Sequence, residues 1–196
     1  MIVRIAFPLF ALVVAASPAW AAQVGKPAPT FSLKALDGST HKLEQYRGKT
    51  VVLEWFNPDC PFVVKAHEKA GVLQTMAAQQ AKNKVVWLAV NSSAPGRQGH
   101  GVARNKAAVK NWKMNHPVLI DEKGTVGRAY GAKTTPHMFV IDAKGTLVYK
   151  GGPDNAGYGA PAGGVKPYLA DALKSIKAGK KISQSSTKPW GCSVKY

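Results

Sequence analysis

The apolar and polar positions of this chain switch repeatedly between a strand-like and a helix-like pattern. Residues 50–56 form a short apolar run of β-branched and aromatic residues, which is typical of a buried strand. Residues 62–80 are rich in helix-forming residues with apolar positions at helical spacing, and a second strand-like run occupies 84–91. This order predicts a strand, a helix and a second strand that form a βαβ unit.

The segments on either side of this unit extend it into a larger sheet. Alternation at 31–35, a turn at Asp37-Gly38 and a return at 40–43 predict an N-terminal hairpin. The segments after residue 91 predict, in order, a helix near 103–114, a strand at 117–121, a helix at 125–130, a hairpin of 137–142 with 146–150, and a helix at 165–178. We therefore predict an α/β fold with a mixed central sheet flanked by helices on both faces.

The composition of the chain beyond its first 21 residues indicates one domain followed by a tail. The chain has 196 residues and is 45% apolar, which is enough for one sizeable core. We predict a domain over 22–178 and a flexible polar tail over 179–196 that carries Cys192. The Gly-, Pro- and Ala-rich segment 151–164 is predicted to be a mobile loop.

Residues 1–21 have the pattern of a secretory signal peptide. Arg4 precedes an apolar stretch from Ile5 to Ala16, and small residues stand at the positions that a signal peptidase reads before a cut after Ala21. The apolar stretch of about 12 residues is shorter than the roughly 20 that span a bilayer. We expect a cleaved, soluble, periplasmic protein; an uncleaved anchor is the alternative.

The charge of the chain is strongly basic, with a formal net charge of +17 at pH 7. Such a charge favours acidic partners or surfaces. The lysines, however, are spread at helical spacings without interleaved aromatic residues, which indicates solvated helix faces. Together with export, this pattern predicts that nucleic acid is not a partner.

Cys60 stands where the predicted strand 50–56 gives way to a helix. Asn57-Pro58-Asp59 ends the strand and Pro61 suits the first helical position, so Cys60 is the predicted N-cap. Helix N-termini favour an anion and lower the pKa of a thiol, which raises the fraction of nucleophilic thiolate. The alternative is an inert, buried Cys60 in a domain that only binds partners.

Cys60 and Cys192 are the two cysteines of the chain, so a single intramolecular disulfide is possible. One of them is predicted at a helix N-terminus and the other in a polar tail. This arrangement indicates an attacking thiol, Cys60, and a resolving thiol, Cys192. A structural disulfide between them is the alternative.

The order of these features resembles the thioredoxin fold: a strand, a cysteine at a helix start, a βαβ unit, and Thr134-Thr135-Pro136 before a hairpin. In that fold a cis-proline loop packs against the active-site cysteine. The resemblance therefore implies a cis Thr135-Pro136 bond, which frees the preceding backbone to pair with an extended substrate near the sulfur. An ordinary trans proline is the alternative.

Four segments carry a closer resemblance, to exported redoxins grouped with the alkyl hydroperoxide reductase and thiol-specific antioxidant proteins, in particular a peroxiredoxin-like branch. They are 54–63, 91–96, 130–137 and 190–196. Glu54 has the position of the buried acid of thioredoxin-like proteins, six residues before Cys60. Desolvation would raise its pKa and let it relay protons to a leaving thiolate, whereas structural pairing with a lysine is the alternative.

The chain departs from both of the better-known patterns of these proteins. Val63 replaces the second cysteine of a Cys-x-x-Cys motif. Asn57 replaces the Thr or Ser that precedes a peroxidatic cysteine by three residues, and Pro136 stands about where peroxiredoxins supply an arginine, for which Arg128 could substitute.

The resemblance implies a thiol oxidoreductase that acts on a hydroperoxide or a disulfide, is reset by an external dithiol protein and uses no cofactor. Cys60, Cys192, Glu54, Thr135 and Pro136 are the predicted site residues. A second hypothesis is a copper-handling protein of the same fold, with Cys60 and His137 as ligands.

Overall fold

A computed structural model describes residues 21–68, 71–157, 159 and 161–196, so the predicted signal peptide lies outside the described residues except for Ala21. The strands are β1 Ser32–Ala35, β2 Thr40–Lys42, β3 Val51–Trp55, β4 Val86–Asn91, β5 Val118–Ile120, β6 Thr134–Thr135, β7 His137–Ile141, β8 Leu147–Gly151 and β9 Cys192–Ser193. The α-helices are α1 Pro61–His67, α2 Val72–Lys82, α3 Val102–Asn111, α4 Thr125–Tyr130 and α5 Tyr168–Lys177, and a 3-10 turn spans Leu43–Tyr46.

Seven of these strands form one mixed sheet in the order β2-β1-β5-β4-β3-β7-β8. Strand β3 is parallel to β4 and antiparallel to β7, and all five of its residues are buried. The N-terminal hairpin β1–β2 joins the sheet through β5. The fold is thus the thioredoxin-like α/β fold that the sequence predicts, with a hairpin extension.

The two faces of the sheet are covered by separate apolar clusters. Successive side chains of a strand point to opposite faces, so Leu53 and Trp55 pack with Tyr130 and Phe139, whereas Val52 packs with residues of α2 and α5. Alternation along β3 also places Glu54 on the same face as Val52. Among the helices of the described part of the chain, none is long and apolar enough to cross a bilayer.

The continuous helix predicted over 62–80 is wrong, because the segment forms two helices. Helix α1 ends at His67, and Glu68 has an extended backbone with ψ of 148°. Helix α2 begins after Gly71, where an added Cβ would lie 2.3 Å from the carbonyl oxygen of Ala66. Only a glycine permits this close approach of the two helices. The residues around it are good helix formers, so the spacing of apolar residues does not reveal the break.

Candidate active site

The side chain of Cys60 is fully buried at the start of α1. Cys60 is the N-cap residue, with an extended backbone, and Pro61 occupies the first turn, as the sequence predicts. The Sγ atom donates a hydrogen bond to the carbonyl oxygen of Thr135 at 3.0 Å. The thiol is therefore held between the end of β3 and the strand β6.

The loop that precedes Cys60 is fixed by polar contacts. The Asn57 side-chain oxygen accepts from the N–H of Asp59 at 2.8 Å, and its amide group donates to the carbonyl of Gln98 at 3.2 Å. Arg104 forms an ion pair with Asp59 at 2.6 Å and donates to the carbonyl of Pro58 at 2.8 Å. Asn57 thus shapes the loop at the position where peroxiredoxins have Thr or Ser.

The Thr135-Pro136 peptide bond is cis, which confirms the geometry predicted for this loop. Thr135 is buried, and its hydroxyl oxygen has no hydrogen-bond partner among the described residues. The nearby hydroxyl lowers the pKa of the Cys60 thiol. Thr135 therefore acts on the sulfur through its carbonyl oxygen, which accepts from the thiol, and through its hydroxyl, which favours the thiolate.

Cys192 lies directly beside this loop. Strand β9 is antiparallel to β6, and Cys192 is the register partner of Thr135. Both cysteines are free thiols, with Cys60 buried and Cys192 half-buried, and Cys192 packs against the apolar cluster that contains Cys60. The two cysteines that the sequence singles out are therefore neighbours in space.

The two thiols differ in acidity because of these contacts. Burial raises the pKa of Cys60, but hydrogen bonds from the Cys192 thiol, the Thr135 hydroxyl and the N–H of Val63 outweigh it, so this pKa lies below its usual range. Burial, followed by the hydrogen bond and charge of Cys60, raises the pKa of Cys192 to about 11. The arrangement favours a thiolate at Cys60 and a proton on Cys192.

The segment 179–196 differs from the flexible tail that its composition suggests. Its last residues include β9, and the backbone N–H of Val194 donates to the carbonyl of Lys133 at 3.1 Å. Cys192 also packs against the apolar cluster that contains Cys60 and Phe56. The polar composition conceals these contacts, because most of them are made by the backbone.

Glu54 is fully buried and has a partner that the sequence analysis missed. One carboxylate oxygen lies 2.6 Å from Nε2 of His67, and the other accepts from the indole N–H of Trp87 at 3.0 Å. Burial pushes the pKa of Glu54 upwards, but the charge and hydrogen bond of His67 outweigh it, so this pKa is lowered. The expectations of a raised pKa and of a lysine partner are therefore wrong.

Arg128 and His137 are both engaged in other contacts. The Arg128 guanidinium donates to the carbonyl of Lys123 and lies 4.4 Å from the centroid of the Tyr196 ring. His137 accepts from the N–H of Lys133 at 3.2 Å, and burial, with Lys150 and Lys133, lowers its pKa to about 3. Within the described ranges, no three His, Cys, Asp or Glu side chains are grouped as a metal site would require.

Comparisons with known proteins show which family the chain resembles. The family model described as Redoxin matches residues 23–160. The thiol-disulfide oxidoreductase ResA of Geobacillus thermodenitrificans is 30% identical over 127 residues, which cover 65% of this chain and 68% of the relative. Peroxiredoxin-2 of Cricetulus griseus is 30% identical over 135 residues, which cover 64% of this chain and 67% of the relative.

Among solved structures, an uncharacterized conserved protein from Geobacillus kaustophilus is similar over most of its length. Its TM-score is 0.79 at 26% identity, and the match covers 89% of this chain and 92% of that protein. The Redoxin match, by contrast, ends at residue 160 and does not include Cys192.

Proposed function

The chain belongs to the Redoxin family and is a thiol-dependent oxidoreductase, and on that basis we propose that Cys60 and Cys192 are its redox-active pair. The observation that carries this proposal is the pairing of Cys192 with Thr135, whose carbonyl oxygen accepts the hydrogen bond of the Cys60 thiol beside the cis-proline loop. The lowered pKa of Cys60 and the raised pKa of Cys192 support a division of roles. Cys60 attacks the substrate, and Cys192 resolves the product.

With a hydroperoxide, the Cys60 thiolate attacks one peroxide oxygen and the O–O bond breaks, which gives a sulfenic acid on Cys60. The other oxygen leaves as alkoxide or hydroxide and takes up a proton from solvent to become an alcohol or water. The Cys192 sulfur then attacks the sulfenic sulfur, and water leaves as the Cys60–Cys192 disulfide forms. With a disulfide, Cys60 instead forms a mixed disulfide and Cys192 displaces the substrate thiol. An external dithiol protein supplies the two electrons that restore both thiols.

The residues around Cys60 assist the first step by stabilising the thiolate. The Thr135 hydroxyl and the N–H groups of Val63 and Cys192 each lower the pKa of the Cys60 thiol. The raised pKa of Cys192 keeps its proton in place until Cys60 is oxidised. The Cys192 proton is then available to the oxygen that leaves as water.

A turnover assay tests the proposal. Hydrogen peroxide or glutathione disulfide is supplied in turn, with thioredoxin, thioredoxin reductase and NADPH as the source of electrons. Cys60→Ser should abolish turnover, whereas Cys192→Ser should oxidise once and then stall. Full turnover by Cys192→Ser, or unchanged turnover by Cys60→Ser, would refute the assigned roles.

We further propose that the chain acts in the periplasm after removal of residues 1–21. Arg4, the apolar stretch after it and the small residues at the two positions that a signal peptidase reads, Ala19 and Ala21, support this location. Fractionation of cells and N-terminal sequencing of the protein test it. A periplasmic form that begins at Ala22 is expected, and a full-length cytoplasmic form would contradict the proposal.

A further inference from the structure

The segment 185–196 runs along the edge of the domain and then across the active site. At its start it follows β8, where the N–H of Lys150 donates to the carbonyl of Ser185 and the N–H of Thr187 donates to the carbonyl of Lys150, both at 3.0 Å. The Thr187 hydroxyl also hydrogen-bonds to that of Tyr149 at 2.8 Å. The segment therefore reaches Cys192 from a fixed starting point.

Trp190 anchors the segment on one side of Cys192. Its indole N–H donates to the carbonyl of Asp154 at 2.7 Å, and its ring packs 5.9 Å from that of Phe62. An added Cβ at Gly157 would lie 2.1 Å from the indole ring. The Gly-rich loop thus leaves the space that this tryptophan fills.

Tyr196 anchors the segment on the other side. Its hydroxyl donates to the carbonyl of Ala132 at 2.9 Å, and its ring packs beneath the guanidinium of Arg128. An added Cβ at Gly127 would lie 2.5 Å from the Tyr196 hydroxyl oxygen. Between the anchors, Gly191 lies so close to Thr135 that an added Cβ would be 2.1 Å from its carbonyl oxygen.

The backbone edge beside the nucleophile is therefore already occupied. An extended polypeptide that presents a disulfide to Cys60 would pair as a strand with this edge of β6, and main-chain hydrogen bonds would hold it there. In this structure β9 makes those bonds, with Cys192 opposite Thr135. A polypeptide substrate would have to displace the segment and both aromatic anchors, whereas a hydroperoxide needs only a small opening above the buried sulfur.

We propose that the segment 185–196 determines substrate class by occupying the polypeptide-binding edge of β6, so that the enzyme selects small hydroperoxides over disulfide-containing polypeptides. This inference rests on the proposed role of Cys60 as the nucleophile. The segment acts twice: it excludes a polypeptide from β6 and it holds the resolving thiol next to the sulfenic acid that a peroxide leaves.

Three probes of Cys60 test the inference in the Cys192→Ser protein, which keeps the segment and has one thiol. They are hydrogen peroxide, the mixed disulfide of cysteine with 2-nitro-5-thiobenzoate, and an unstructured ten-residue peptide carrying that mixed disulfide on its single cysteine. The peptide should react at least about tenfold more slowly than the cysteine probe, because loss of even one of the hydrogen bonds that hold the segment has an effect of about that size.

Replacing an anchor residue should remove the difference in rate between the peptide and the cysteine probe. In Cys192→Ser/Trp190→Ala the peptide should react about tenfold faster while the peroxide rate changes less than about twofold, because only strand pairing at β6 is relieved. Trp190→Phe is the matched control, since it keeps an aromatic ring in the pocket. Tyr196→Ala provides a second variant from the other anchor, and circular dichroism verifies folding of each.

Equal rates for the peptide and cysteine probes with the segment intact would overturn the inference, as would equal acceleration of all three probes in both anchor variants. A Cys60 that reacts with no probe in any folded variant would instead refute the proposed function itself. The two failures therefore give different results.

Discussion

Thr135 and Cys192 are paired across the short antiparallel sheet of β6 and β9. The carbonyl of Thr135 accepts a hydrogen bond from Cys60, and Cys192 packs against the apolar cluster that contains Cys60. One backbone pair thus brings the cis-proline loop, the proposed nucleophile and the proposed resolving thiol together.

Thr135→Val should raise the pKa of the Cys60 thiol by about half to one unit, because it removes a hydroxyl donor to the thiolate and keeps the side-chain shape. The pH dependence of iodoacetamide alkylation in the Cys192→Ser protein measures this pKa. Thr134→Val is the matched control, since the Thr134 hydroxyl donates to the carbonyl of Pro136 instead. An alkylation midpoint that is unchanged in Thr135→Val would contradict the assignment.

Glu54→Gln should lower the free energy of unfolding by about 3 kcal/mol, since removal of one partner leaves His67 buried without its counter-charge. Urea unfolding of Glu54→Gln, His67→Gln and the double variant measures the coupling between the two residues. The double variant should lose at least about 1 kcal/mol less than the sum of the single losses. Additive losses would mean that the 2.6 Å contact contributes nothing specific.

The difference in the free energy of unfolding between wild type and Glu54→Gln should decrease as the pH falls. The pKa of Glu54 is lower in the folded protein, so the stability it contributes is present above its unfolded pKa of about 4.3 and is lost as the pH falls through the lower folded value. Urea unfolding at decreasing pH should therefore show the two proteins converging below about pH 4. A constant difference down to pH 3 would contradict this account.

His116 should make the folded protein less stable in mild acid. Burial, opposed only partly by Glu54, lowers its pKa to about 4, so between about 6.5 and 4 the unfolded chain binds a proton that the folded protein does not. The contribution of this residue to the free energy of unfolding should fall by about 2 kcal/mol from pH 7.5 to pH 5. His116→Phe should show a correspondingly flatter dependence in urea unfolding, and an identical slope would rule out the buried neutral histidine.

The external dithiol protein should attack Cys192 and not Cys60. Cys192 is half-buried whereas Cys60 is fully buried, and Cys60 is the better leaving group because its pKa is lower. A thioredoxin whose second cysteine is replaced by serine should therefore be trapped in a mixed disulfide with the oxidised protein. Peptide mapping should locate this bond at Cys192, and a bond at Cys60 would reverse the assigned order.

Features that depend on neighbouring residues were predictable from the sequence. The buried strand, the N-cap position of Cys60 and the helix Thr125–Tyr130 follow from local patterns of apolar, turn and capping residues. The cis bond before Pro136 came from the resemblance to the thioredoxin fold.

Apart from the nearness of Cys60 and Cys192, which their being the two cysteines of the chain suggested, features that depend on contacts between distant parts of the chain were not predictable. The pairing of Glu54 with His67 requires the inner face of α1 to lie over β3. The spacing of apolar residues in the sequence does not show which polar residues come together when the helix packs in this way. The anchoring of the tail rests on backbone hydrogen bonds and on glycines that leave room for Trp190 and Tyr196, in a segment whose composition is that of a loop. A polar composition therefore does not by itself show that a segment is exposed, because its backbone can still form hydrogen bonds with other parts of the fold.

The most direct test of the redox pair is the mass of the intact protein after one equivalent of hydrogen peroxide, with remaining thiols alkylated. Wild type should lose two hydrogens and resist alkylation, with Cys60 and Cys192 joined in one peptide pair, while Cys192→Ser should carry a sulfenic acid on Cys60. Two alkylated cysteines in wild type after exposure to peroxide and, separately, to glutathione disulfide would contradict the account.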